Sequence, residues 1–331
     1  MCTVEPWSKL RKARRDFSQR ENLNLKKVVF RLASPFKAKY FAFLVLPACE
    51  VRKKPTEQRS IATLINPEKR RNMKYYIIAD PHAFYKETIK ALKEKGYFSD
   101  TGPKKIIICG DLFDRGTQVK EMESFILDLL DKDEVILIRG NHEDLMLDLV
   151  YKIKAYIPCV EYTHHGTNGT FKTAVAMSGM KPKEINAFPD EFTLKMKASP
   201  LLKRIIPAMV NYYETDNYIF VHGWIPCIEK RYRRGESIYQ PTKNWRGASA
   251  TEWNDARWYN GMAAARCGVI EKGKTIVCGH FRTSWGHSVI NGEGEDYGPK
   301  GIYTPYLNDG IIALDACTSY SKFVNCLVIE D

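Results

Sequence analysis

Asp80, Asp111 and Asn141 each follow a short apolar run, at Tyr75–Ala79, Lys105–Cys109 and Glu134–Ile138, and are spaced 31 and 30 residues apart. His222, after Tyr218–Val221, and His280, after Thr275–Cys278, repeat the arrangement twice. Carboxylate, amide and imidazole donors together suit Mn²⁺, Fe or Zn²⁺ rather than a soft ion that prefers thiolates. Taken singly, an Asp beyond a strand is a turn residue or a helix N-cap. A lone His is usually a satisfied core or surface group. Five such ends in one order, with Gly110 and Gly140 allowing close backbone approach, make coincidence a poor account.

The elements that must position these groups can be read from the pattern. Amphipathic helices are predicted at Tyr85–Lys95, closed by Gly96, at Glu121–Leu130 and from about Glu143 to Lys154. Strands alternating with helices imply right-handed βαβ units and a mostly parallel sheet, whose carboxyl ends converge on one crevice. Residues 155–216 read as a polar loop followed by helical stretches near Lys183–Ala187 and Leu201–Tyr212, a helical and loop insertion at the rim. Further strands are predicted at Gly310–Leu314 and Phe323–Ile329.

The chain has 331 residues, 44% hydrophobic and 12% aromatic, which excludes global disorder and suggests one large domain or two ordinary ones. Its nine cysteines are scattered without a C-x-x-C pair, which argues against a zinc ribbon or a disulfide framework. Buried thiols in a reducing, cytoplasmic setting are expected instead. The net charge of +12 is confined to residues 1–72, which carry 18 Lys and Arg against 6 Asp and Glu. From Met73 onward the chain is neutral. Residues 1–72 are read as a basic extension that is disordered or lies upstream of the true start at Met73. A nucleic-acid-binding arm is the competing reading. The apolar run Tyr40–Pro47 is too short to span a bilayer, so no membrane partner is expected.

Asp80-Pro81-His82, Gly110-Asp111-Leu112-Phe113-Asp114-Arg115-Gly116, Gly140-Asn141-His142-Glu143, His222-Gly223 and Gly279-His280 resemble the ordered motifs of the calcineurin-like metallophosphoesterases. They look closest to the phosphoprotein-phosphatase branch, which includes bacterial and phage serine/threonine phosphatases and diadenosine tetraphosphate hydrolases. The resemblance covers about residues 73–331. It implies a four-layer α/β/β/α sandwich with a dinuclear metal site at the strand C-terminal ends. It also implies that Asp80 and His82 hold one ion, that Asp111 bridges, and that Asn141, His222 and His280 hold the second. Two divalent ions, Mn²⁺ first and Fe or Zn²⁺ as alternatives, would then present a bridging hydroxide for in-line attack on phosphorus. His142 would protonate the leaving alcohol, Asp114 would fix its tautomer, and Arg115 would fork onto phosphate oxygens.

Two departures loosen the subfamily. Ala83 stands where glycine is common after the first histidine, and Arg282 stands where many relatives carry a second histidine. Arg282 is open to a role in phosphate contact or to simple exposure. Trp253 and Arg257 occupy a segment that in related phosphatases faces substrate. His287 is expected to be structural or on the substrate side, and His164-His165 to lie in a polar loop. The expected activity is that of a serine/threonine protein phosphatase or broad phosphomonoesterase, acting on a phosphorylated substrate. A dinucleotide polyphosphate or other nucleotide is the alternative. A basic nucleic-acid-binding protein with an inactive body is the third reading, against which the neutral body stands. Residues 228–262, including Arg231, Arg233, Arg234, Trp245, Trp253 and Trp258, are the expected rim that selects substrate.

Overall fold

The computed structural model describes residues 73–157, 160–231 and 237–331. The expectations for residues 1–72 lie outside the described residues, as do Arg233 and Arg234 and the side chain of Arg231. Strands β1 (Lys74–Ile78), β2 (Lys104–Cys109) and β3 (Val135–Ile138) are parallel neighbours. The last strand, β11 (Cys326–Glu330), lies antiparallel against β1. Helices α1 (Tyr85–Glu94), α2 (Val119–Asp131) and α3 (Asn141–Lys154) follow the first three strands in turn.

A second sheet has the order β4 (Tyr213–Glu214), β5 (Tyr218–Phe220), β8 (Thr275–Cys278), β10 (Ile311–Ala313) and β9 (Tyr306–Asn308). Its three inner strands are parallel. A separate hairpin joins β6 (Cys227–Arg231) to β7 (Ser237–Pro241).

The layers follow from side-chain alternation, since successive residues of a strand face opposite ways. Tyr75, Ile77, Ala79, Ile107 and Cys109 pack against Phe220, Val277 and Leu314, so the two sheets face one another. Tyr76, Ile78, Ile106 and Ile108 turn the other way, onto helical residues such as Leu92, Met122, Ile126 and Leu149. Ile219, Ile276 and Ile311 pack outward against Trp224, Trp253 and Met262. Both faces of each sheet are covered, which explains why the strands read as near-continuous apolar runs. The fold is the expected four-layer α/β/β/α arrangement.

Residues 155–216 are more helical than their polarity suggests. After α4 (His164–Thr167), helices α5 (Thr170–Ser178), α6 (Pro182–Ala187) and α7 (Pro189–Ala198) send Phe171, Ala174, Met177, Ile185, Phe192 and Met196 into the core of the first sheet. The helix expected over Leu201–Tyr212 stops at Ala208. Val210 instead donates to Leu137 O at 2.9 Å and accepts from Arg139 N at 2.9 Å. Pairing the open edge of β3 thus wins over local helix propensity. The final strand begins at Cys326 rather than Phe323, after a helical turn at Thr318–Ser321.

One ion-pair cluster ties the second sheet together. Arg246 forks onto Glu214 at 2.9 and 2.6 Å, and Lys274 Nζ lies 2.9 Å from the same carboxylate. The Arg246 hydrogen bond, with Lys274 assisting, lowers the Glu214 pKa from 4.5 to about 2. A carboxyl depressed in the fold contributes stability above its unfolded pKa and loses it as pH falls through the folded value. Wild-type stability should therefore decline between pH 4.5 and about 2, and Glu214→Gln should lack that component. Urea midpoints at pH 7, 4 and 3 test this, and parallel profiles for the two proteins would refute it.

Candidate active site

The site residues stand on turns that leave the strand ends in unusual conformations. Asp80, His82, Ala83, Asp111, Asp114, Arg115 and His280 all have positive φ, between 46° and 73°. Left-handed backbone at non-glycine residues costs on the order of 1 kcal/mol each and clusters at functional sites. Ala83, at φ 56°, carries that cost where glycine would not, and its N–H is held by Leu112 O at 2.8 Å. Gly140 is required by crowding, because a Cβ there would lie 2.2 Å from Asp111 Oδ1.

Asp111 is the centre of the arrangement. Its Oδ2 faces His82 Nε2 and His142 Nε2, each at 3.7 Å, and its Oδ1 faces His222 Nε2 at 3.3 Å. Two clusters of potential ligand atoms result, His82–Asp111–His142 and Asp111–His222–His280, with Asp111 in both. Asn141 Oδ1 joins the second, 2.8 Å from His222 Nε2 and 3.0 Å from His280 Nδ1. Asp80 approaches from the β1 end, its oxygens 3.1 and 2.9 Å from the backbone N–H of His280.

Carbonyl groups fix the tautomers of two histidines. His82 Nδ1 donates to Phe113 O at 2.9 Å, and His222 Nδ1 donates to Cys109 O at 2.7 Å. A neutral ring so held directs the lone pair of its Nε2 inward. Burial, chiefly, lowers the pKa of His82 and His222, and lowers His280 to about 3, so the neutral form prevails. These lone pairs meet the Asp111 carboxylate and Asn141 Oδ1, acceptor against acceptor.

The buried acids tell the same story. Burial, followed by Asp315 and Asp111, pushes the Asp80 carboxyl well above its ordinary value. Burial also raises Glu143 to about 7 and Asp315 to about 6. A buried pocket with an excess of carboxylates and inward lone pairs is the donor chemistry of a cation site. The residues present therefore fit divalent ions.

His142 differs from the other three histidines. Its Nδ1 lies 2.7 Å from Asp114 Oδ2, which also accepts from Thr170 Oγ1 at 2.7 Å. Burial opposes its charged form, yet Asp111 and the Asp114 bond outweigh this and raise its pKa. Arg115 is exposed, with a guanidinium nitrogen 3.2 Å from His142 Nε2. Charge, proton donor and a fork for phosphate oxygens thus meet at one mouth.

Two residues expected to contact substrate have partners within the protein. Arg257 is only 4% exposed, and its guanidinium bonds Asp144 at 2.6 Å and Asn211 at 3.1 Å. These bonds tie the turn after α8 (Ala250–Ala256) to α3. Trp253 is likewise buried, stacked on Tyr212. Arg282 directs its guanidinium to Asp296, at 2.5 Å to Oδ2 and 3.1 Å to the carbonyl. His287 meets Thr304 O at 3.3 Å, a structural contact.

Glu143 and Asp315 are functional candidates to which the motifs assigned no role. The Glu143 carboxylate accepts from Gly140 N at 2.8 Å, Leu112 N at 3.0 Å and Asp111 N at 3.2 Å, linking two ligand turns. Asp315 lies two residues past β10, a sixth strand end following the same pattern as the other five. Beside the centre, Trp258 stands edge-on to the His280 ring at 5.8 Å. It opens a cleft of about 990 Å³ that Phe281, Trp285, Tyr239 and Arg266 also line.

Among curated proteins, a bis(5'-nucleosyl)-tetraphosphatase PrpE [asymmetrical] from Geobacillus sp. (strain WCH70) is 34% identical over 76 residues. That match spans 21% of this chain and 31% of the relative, about a third of the relative's length. A cold-active protein-tyrosine phosphatase of a psychrophile, Shewanella sp., is 15% identical with a TM-score of 0.40, covering 78% of this chain and 77% of that one. A metallophosphoesterase from Sphaerobacter thermophilus is 13% identical with a TM-score of 0.33, covering 73% and 76%. The calcineurin-like phosphoesterase family model matches residues 73–312, and the chain belongs to that family of metal-dependent phosphoester hydrolases.

Proposed function

We propose that the chain hydrolyses phosphate monoesters, as a serine/threonine-type protein phosphatase or broad phosphomonoesterase, at a site built for two divalent ions. Asp80, His82 and Asp111 would hold one ion; Asp111, Asn141, His222 and His280 would hold the other. The observation that carries this reading is the Asp111 carboxylate, whose two oxygens are addressed by different histidines at 3.3 to 3.7 Å. When bound, such ions supply an activated water and neutralise phosphate charge. Mn²⁺ is proposed first, and the oxygen and nitrogen donor set fits Fe and Zn²⁺ as well.

The chain's own groups complete the chemistry. Arg115, exposed at the mouth, forks onto non-bridging phosphate oxygens and sets the leaving group opposite the nucleophile. His142, its Nδ1–H donated to Asp114, would carry a proton at Nε2 once the Arg115 guanidinium moves from that nitrogen onto phosphate, and would deliver it to the departing oxygen. Asp114 keeps that ring oriented, and Thr170 keeps Asp114 oriented.

A second reading, hydrolysis of a dinucleotide polyphosphate or other nucleotide, is favoured by the cleft beside His280. The indole of Trp258 is 43% exposed there, a face on which a base could stack. Parallel Mn²⁺-dependent assays on phosphopeptides and dinucleotide polyphosphates separate the two. Phosphopeptide turnover is expected to dominate; preference for dinucleotides would select the second reading. Turnover of neither by metal-loaded protein would sink both.

A further inference from the structure

We propose a separate transition-metal site, of the zinc class, formed by Asp148 of α3 with His164 and His165 at the start of α4. His165 Nε2 is 3.0 Å from Asp148 Oδ2, and His164 Nε2 is 3.7 Å from the same oxygen. One ligand atom from each of the three residues lies within 4.8 Å of the others. An ion bound tetrahedrally at about 2.0–2.2 Å needs ligand atoms roughly 3.4 Å apart. The three groups already stand near that spacing. Asp148 and His164 are 42% and 47% exposed, which leaves an entry path and room for a water as fourth ligand.

His165 is fully buried; among the described residues its Nδ1 has no hydrogen-bond partner, and its Nε2 meets Asp148. The two imidazole centroids are 4.0 Å apart. One cation is already present: Lys152 Nζ lies 2.6 Å from Asp148 Oδ2. Lys152 is one helical turn further along α3 and reaches solvent, so its ammonium holds the place that a divalent ion would take.

Occupancy would be felt at the catalytic turn. The segment that carries His164 and His165 runs on to Gly169, where a Cβ would lie 2.5 Å from Arg115 N. It continues to Thr170 and Thr173, which bond the carboxylate and the backbone N–H of Asp114 at 2.7 and 3.1 Å. Clamping α4 to α3 therefore braces the turn that presents Asp114 and Arg115.

The test is Zn²⁺ binding by the full chain, read as ions per chain after equilibrium dialysis and as the visible bands of a Co²⁺-loaded sample. His164→Ala and Asp148→Asn, both at exposed positions, should each hold one ion fewer than wild type. They should lose about two orders of magnitude in affinity at that site. Lys152→Gln should bind that ion about fivefold more tightly, because a competing surface ion pair is gone. Unchanged stoichiometry in His164→Ala and Asp148→Asn, or weaker binding in Lys152→Gln, would overturn the proposal. The readout is a difference of one ion between variants, so it stands apart from how many ions the Asp111 centre holds.

Discussion

His142→Asn is expected to lower turnover by about two to four orders of magnitude while bound metal stays at the wild-type level. The side chain is 4% exposed and is oriented through Nδ1 by Asp114, so its Nε2 is fixed at the mouth beside Arg115. Asparagine keeps a polar group near Asp114 but carries no titratable proton. The raised His142 pKa gives the pH sign. A histidine raised in the fold is charged, and stabilising, at low pH, and it loses both properties as pH rises through the folded value. Activity that needs the protonated ring should therefore fall on the alkaline side, and Asp114→Asn should move that limb to lower pH. His142 Nε2 also lies 3.7 Å from Asp111 Oδ2, the same distance as the ligand candidate His82. Metal analysis alongside kcat is thus decisive. Loss of metal together with activity would place His142 in the ligand shell and refute the proton-donor role.

The fold and the convergence of the candidate ligands were legible because they rest on local rules. Strands such as Tyr75–Ile78 are covered on both faces, and they announce themselves as unbroken apolar runs. The convergence of Asp80, Asp111, Asn141, His222 and His280 follows from their common place beyond parallel strands. The partners of Arg257 and Arg282 were not legible, because they are distant in sequence or lie in an irregular loop. Asp144 is 113 residues away from Arg257 in sequence, and the Asp296 loop that takes Arg282 has no regular structure. Helix α5 was hidden for a different reason. Its Thr170 and Thr173 are weak helix formers, yet both hydroxyls bond Asp114. Function at those two positions outweighs propensity, and a single sequence gives no sign of it.

Glu143→Gln should destabilise the protein and empty the site together, although it changes only one atom type. The carboxylate is 3% exposed, and its two oxygens accept three backbone N–H groups. Leu112 N bonds Oε1, whereas Gly140 N and Asp111 N bond Oε2. An amide nitrogen in place of Oε1 confronts one donor with another; in place of Oε2 it confronts two. Either orientation leaves at least one buried N–H without an acceptor, at a cost of about 1–3 kcal/mol. For a domain of this size that corresponds to a fall in melting temperature of about 3–8 °C. The same bonds join the turn carrying Asp111 to the turn carrying Asn141, so their loss moves a ligand from each ion's shell. Small displacements at a preorganised centre are costly, and turnover should fall by about two orders of magnitude with metal content reduced. Calorimetry and metal analysis on one preparation test both parts. A variant with wild-type melting temperature and full metal would show that Glu143 does not hold the two turns in register, and the reason for its burial would have to lie elsewhere.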